Sequence, residues 1–210
     1  MTEPTSPILF AGRQFLPDTE VIDLVNARLV TLEPLGDLPK LRMLQLHWTN
    51  PHRSPGSLLL DLSVLRKCPH LTVVEIPRQN VRTLDGLEGH RNLHTVDVSF
   101  TRIADLGPLA GLPSLAVLRL RHTRVTTLAP LVSVSTLEEL DIAHTTITDI
   151  SLLRQLPALA SLDLRATHVT DLAPLADMAA LRRVVVQRLE VDRAAIDRLR
   201  EARPDVEVIT

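Results

Sequence analysis

Four leucines, Leu93, Leu115, Leu137 and Leu159, each stand 22 residues after the last, and each opens the same pattern. The segments read LHTVDVSFTRIADLGPLAGLPS, LAVLRLRHTRVTTLAPLVSVST, LEELDIAHTTITDISLLRQLPA and LASLDLRATHVTDLAPLADMAA. A unit this short cannot bury an apolar face alone, so a fixed period of this length implies a stack of similar layers. The register extends back to Leu71, Leu41 and Thr19, and forward to Leu181 and Arg203. Only the step from Leu41 to Leu71 departs: it is 30 residues long.

Within each unit, L-x-x-L-x-L places apolar side chains on alternate positions, as a strand buried on one face requires. If successive strands pair in parallel, Ile22, Leu44, Val74, Val96, Leu118, Leu140, Leu162 and Val184 stack into one continuous row. The composition agrees. The chain is 45% hydrophobic but only 2% aromatic, so its core is built from Leu, Val, Ile and Ala, which suits near-identical layers. Each strand is followed by a Thr or Asp (Thr31, Thr83, Asp105, Thr127, Asp149, Asp171), then an apolar residue. A side-chain oxygen there accepts from the free N–H groups that open a helical turn, which makes these residues structural and not catalytic. Pro34, Pro108, Pro130 and Pro174 then sit where a missing N–H costs nothing.

The template L-x-x-L-x-L-x-x-T-x-V/I-x-D/T-L-x-P-L-x-x-L-P-x resembles the leucine-rich repeat, L-x-x-L-x-L-x-x-N-x-L. The likeness is to the short 22-residue form of internalins and of a phosphatase-1 regulatory subunit, and it spans residues 19 to 210 as in a stand-alone bacterial protein. It implies an α/β fold: a right-handed solenoid with one curved parallel β-sheet on the concave face and short helical turns on the convex face. One departure concerns the position after the strand. Thr49, Thr101, Thr123, Thr145 and Thr167 replace the usual Asn, and a hydroxyl with one donor makes a thinner inner spine than an amide does.

A single domain follows. Residues 1 to 18 read as an N-terminal cap, with Ile8, Leu9, Phe10, Phe15 and Leu16 over the first layer. Repeats run from 19 to 188, with a loop insertion at about 50 to 60 carrying NPHRSPGS. Residues 189 to 210 read as a C-terminal cap: Asp192 starts a helix through Arg193 to Ala202, Ile196 and Leu199 face inward, and Pro204 stops it. Val206 and Val208 then take the inward register of a last strand.

A net charge of −2 and a pI near 6.4 argue against a nucleic-acid or membrane-surface binder. Cys68 is the sole cysteine, which excludes a disulfide framework and a cysteine metal cluster. MTEPTSPILFAGRQF lacks the basic start and long apolar run of a signal peptide, so a reduced, cytoplasmic protein without cofactors is expected.

Counting the anchor leucine as position 1, positions 2, 3, 5, 7 and 8 should face the concave side. Position 8 reads Asn26, Trp48, Arg78, Phe100, His122, His144, Ala166 and Arg188, with neighbours about 4.8 Å apart. Trp and Arg are the residue types most enriched in binding hot spots. Position 5 adds Asp97, Arg119 and Asp141, and position 7 adds His47, Arg121 and Arg165. Across the face, acids and arginines are balanced, with arginines gathered toward the C-terminal end. That mixture suits a protein partner and not a phosphate backbone.

The expected function is therefore a non-catalytic protein–protein interaction module, in an adaptor, inhibitor or toxin-neutralising role. Its contact residues are Trp48, His47, Arg78, Phe100, Asp97, Arg119, Arg121, His122, Asp141, His144 and Arg165. Weak self-association through the concave face or an open sheet edge is the alternative. A small hydrolase using Ser99, His122 and Asp97 is a remote one, because an open sheet offers neither an enclosed pocket nor an oxyanion hole. His122 and His144 side by side could suggest metal ligands or a pH-sensitive pair; with eight histidines in the chain such a juxtaposition arises by chance, and no metal site is assigned.

Overall fold

The computed structural model describes residues 6–49, 58–59 and 61–210. The expected N-terminal cap thus loses its first five residues from view, and most of the expected 50–60 loop lies outside the described residues. A small antiparallel pair opens the chain, β1 (Ile8–Phe10) with β2 (Arg13–Phe15). One parallel sheet follows in chain order: β3 (Val21–Val25), β4 (Met43–His47), β5 (Val73–Glu75), β6 (Thr95–Asp97), β7 (Val117–Arg119), β8 (Glu139–Asp141), β9 (Ser161–Asp163) and β10 (Arg183–Val185). Helix α1 (Arg193–Ala202) then leads to β11 (Glu207–Ile209), which pairs with β10.

The pairing reproduces the repeat. Ile22 opposes Leu44, Leu44 opposes Val74, and the row continues through Val96, Leu118, Leu140 and Leu162 to Val184. Every member of that row is at most 1% exposed, so the row is the inner wall of the core. Fully burying one such side chain contributes about 1.5–3 kcal/mol, and the leucines of the return turns, such as Leu35, Leu65, Leu109 and Leu131, supply the opposite wall. Cys68 fills one leucine slot there; burial pushes its thiol up to about 11, and its Sγ lies 3.3 Å from the Leu35 carbonyl.

The last step is longer than the 22 residues expected. Glu207 pairs with Arg183 and Val208 with Val184, a step of 24, so the final anchor falls two residues after Arg203. The reason is α1, whose ten residues need more chain than the three- to five-residue 3-10 turns used elsewhere. Asp192 caps α1 as expected, accepting from the Ala194 N–H at 3.2 Å.

Those 3-10 turns begin where the Thr and Asp residues anticipate them. Thr31, Thr83, Asp105, Thr127, Asp149 and Asp171 each accept the N–H two residues on, at 2.7–3.2 Å. Asp61 does the same for Ser63. The Thr spine behind them is thin: Thr101, Thr123, Thr145 and Thr167 are buried, and each donates to a carbonyl of its own repeat at 2.7–2.8 Å, not to its neighbour. In the repeat from Leu71 this position is Gln79, buried, with its Oε1 unpaired.

That same repeat forms no 3-10 turn among its described residues, and two substitutions explain why. Gly86 stands where neighbours carry Pro108 or Pro130, and has φ +109°. A Cβ there would lie 2.3 Å from the Leu62 carbonyl oxygen and 2.8 Å from Ser63 Cα, both backbone. His90 takes the core slot of Leu112, 5% exposed. Desolvation lowers its proton affinity and outweighs the Gly86 and Leu65 carbonyls beside the ring, while Nε2 has no partner.

Two outcomes follow. Gly86→Ala should lose at least about 2 kcal/mol, or roughly 4–8 °C of melting temperature, since neither the positive φ nor the backbone clash can relax; a melting temperature within about 1 °C of the parent would show that the turn gives way. His90 binds fewer protons folded than unfolded. Its contribution is therefore fully present above the unfolded value of about 6.5 and is lost as pH falls below it. Denaturant midpoints should show that His90→Leu removes part of the stability loss between neutral pH and pH about 5. An unchanged slope would mean that the imidazole is not held neutral.

Candidate functional site

The strands end in an uncommon backbone conformation. Asn26, Arg78, Phe100, His122, His144, Ala166 and Arg188 all have φ between 50° and 63°. They are the position-8 residues, and none is glycine. The left-handed region costs a non-glycine residue about 1–2 kcal/mol, so something must hold it. In six of the seven, all but Arg188, it is held by a hydrogen bond into the next repeat. Asn26, Arg78, Phe100, His122, His144 and Ala166 each donate an N–H to the carbonyl of the following position 7, at 2.7–3.1 Å. The ladder thus runs past the strands themselves. Trp48, in the same column by register, is not in the left-handed region.

This shared turn lays the side chains of successive repeats over one another on the sheet's solvent face. The Arg78 guanidinium sits 3.9 Å from the Phe100 ring centroid. Phe100 stacks on His122 at 4.6 Å and 25°, and His122 stacks on His144 at 4.1 Å and 13°. Arg121 borders the stack: its guanidinium carbon is 6.0 Å from the Phe100 centroid and its Nη2 is 3.5 Å from His144 Nε2. The Arg121 Nε is buried without a partner. Desolvation lowers the proton affinity of both imidazoles. For His122, His144, Arg121 and Arg78 add to the effect; for His144, Arg121, Arg188 and Arg165 do. The result is a neutral aromatic stripe edged with cations.

The remaining expected contact residues fall into three groups. Arg119 is committed within the sheet, 2.9 Å from Glu139 and 3.7 Å from Glu75, which itself accepts from Gln45. Arg165 is held by Asp163 through Nε at 2.9 Å and through Nη2. The carboxylates of Asp97 and Asp141 turn to the backbone, accepting the N–H of Ser99 and of Ala143 at 2.8 Å; burial raises both above the ordinary carboxylate range. His47 lies near the N-terminal end of the sheet, 3.4 Å from Asp23, and the half-buried Trp48 makes no ring–ring contact among the described residues and leaves its Nε1 buried without a partner. The structure therefore brings together Arg78, Phe100, Arg121, His122 and His144, and leaves His47 and Trp48 apart from them.

Ser99 is 7% exposed and its backbone N–H donates to Asp97 at 2.8 Å; among the described residues no hydrogen bond joins it to His122. Among the described residues no three His, Cys, Asp or Glu side chains converge as metal ligands would. The left-handed column went unread in the sequence, although it left a trace. None of its seven members is β-branched, the side-chain class that tolerates positive φ least.

With this geometry in view, comparison with known proteins is informative. Residues 135–177 match the family of Leucine Rich repeats (2 copies). The chain matches none of the curated proteins by sequence. Among solved structures it is similar to an internalin C2 (inlC2) from Listeria monocytogenes, with 25% identity, a TM-score of 0.74, 89% of this chain covered and 77% of the other. It is also similar to an internalin (inlF) from the same organism, with 19% identity, a TM-score of 0.70, 94% of this chain and 63% of the other. A leucine-rich-repeat protein from Leptospira interrogans gives 15% identity and a TM-score of 0.67, over 85% of this chain and 51% of that one. The chain thus spans under two thirds of the length of two of these three. Repeat spacing, sheet order and these likenesses agree: the chain has a leucine-rich-repeat fold, similar to that of the bacterial internalins.

Proposed function

We propose that this protein is a non-catalytic binding module that captures a protein partner on the concave face of its sheet. Leucine-rich-repeat folds generally serve protein–protein interaction. The observation that carries the reading here is the stack Arg78–Phe100–His122–His144, laid across four successive repeats and facing solvent. Each rung occupies a conformation that costs free energy, and none of them faces the core. Aromatic and Arg side chains held rigid before binding lose little freedom when a partner arrives, which is what a hot spot needs. Arg119 and Arg165 are held by carboxylates of the same sheet and so serve to fix the floor. An adaptor, inhibitor or toxin-neutralising role then depends on the partner. A cytoplasmic setting is supported by the single, buried, unpaired Cys68; no helix among the described residues is long and apolar enough to cross a membrane.

A second reading, self-association, has its own observation. β3 ends the sheet, and Val21 and Val25 on it are 49% and 50% exposed; Leu9 and Leu16 of the N-terminal segment are exposed too. Light scattering separates the two: a monomer at high concentration removes self-association.

Phe100→Ala with His122→Ala tests the first reading. Ala166 already holds the same backbone at φ 50°, so the double variant should fold with a melting temperature near that of the parent. Partner affinity should fall roughly 30-fold or more, the scale of one hot spot lost. Unchanged affinity in a folded variant would remove the concave-face reading.

A further inference from the structure

We propose that the stack has one vacant rung, over Ala166, and that this rung takes an aromatic side chain of the protein partner, an inference that rests on the concave face being the partner surface. The rungs are spaced 4.1–4.6 Å apart, close to the strand spacing of about 4.8 Å, so one planar group per repeat fills the column. After His144 the column meets Ala166, in the same left-handed conformation but with only a methyl group. No ring of the described residues covers the second face of His144. One repeat further stands Arg188, exposed, again left-handed, with no carboxylate of the described residues at salt-bridge distance. A ring seated over Ala166 would thus meet the His144 imidazole on one face and the Arg188 guanidinium on the other.

The molecule contains the same arrangement once already. Phe100 has the Arg78 guanidinium 3.9 Å over one face and His122 at 4.6 Å on the other. The vacant rung mirrors it at the opposite end of the stack. Charge favours the same occupant. Arg121, Arg188 and Arg165 outweigh Asp163 at His144, and the Arg121 Nε is buried without a partner, so the site disfavours a cation and favours the electron-rich face of an aromatic ring. An aliphatic side chain would gain nothing from Arg188. A carboxylate would pair with the arginines from outside and need no vacant rung.

The test is a methyl NMR titration of the full chain, labelled at alanine, with N-acetyl-tyrosinamide, N-acetyl-leucinamide and N-acetyl-glutamic acid amide as probes. The tyrosine amide should move the Ala166 methyl and the His144 ring protons upfield and saturably, while the leucine amide leaves them in place. Ala166→Phe fills the rung with the chain's own ring, in a backbone that Phe100 already adopts at φ 59°, and should abolish the response without disturbing the Phe100 and His122 signals. Arg188→Ala should weaken the tyrosine amide at least severalfold. No upfield movement of Ala166, an equal response to the leucine amide, or a response to the glutamic acid amide alone would each overturn the vacant rung. The partner measurement fails separately. Lost affinity in Phe100→Ala/His122→Ala without an Ala166 response leaves the concave face and removes the rung; an Ala166 response with unchanged partner affinity removes the concave-face reading and, with it, the assignment of the ring to a partner.

Discussion

The hydrogen bond that links each strand's end to the next repeat is what the rest of the molecule depends on. In six repeats the residue after the strand donates its N–H to the neighbouring carbonyl at 2.7–3.1 Å, and to do so it adopts a left-handed backbone. The cost per residue is about 1–2 kcal/mol, and it is met because the alternative is an unpaired backbone group beside a buried core. The consequence reaches well beyond the turn. A conformation repeated at one register position points one side chain per repeat the same way, at strand spacing. Where those side chains are flat, they stack.

This division of labour explains the composition. The core is filled by leucine, valine and isoleucine in rows that are almost completely excluded from water. It has little use for aromatic rings, and the chain has few. Phe100 therefore stands out on the solvent face, sandwiched between a guanidinium and an imidazole. The ion pairs around it, Arg119 with Glu75 and Glu139, and Arg165 with Asp163, hold the floor on which the stack rests. These pairs are half-buried and fix the geometry of that floor.

Most of the architecture was legible in the sequence because one spacing controls it. The 22-residue period predicts strand order and the pairing of Leu44 with Val74 across the longer step; Asp105, Asp149 and Asp171 accept the N–H two residues on, but each stands one residue before the N-cap, which is Leu106, Ile150 or Leu172. The final step exceeds the period by two residues because a helix consumes more chain than a 3-10 turn, and periodicity alone does not weigh that. The site was legible only in part. Alternation places Asp97 and Asp141 on the solvent face, but a short carboxylate two residues before a free N–H folds back on it, as Asx turns do. The stacking of Phe100, His122 and His144 follows from a backbone conformation that propensity rules associate with glycine; the sequence places these residues in one column, and only the absence of β-branched members hints at the turn.

The free protein offers the most direct check on whether this stack is assembled before any partner arrives. His122 and His144 are desolvated by their neighbours and bordered by Arg78, Arg121, Arg165 and Arg188, so both should be harder to protonate than an ordinary imidazole. An NMR pH titration that resolves each ring reads this without a ligand. Both rings titrating below the usual value of about 6.5 is the expected result. Either ring titrating at or above that value would mean that the imidazoles stand apart in water, and the preassembled binding stripe would be contradicted.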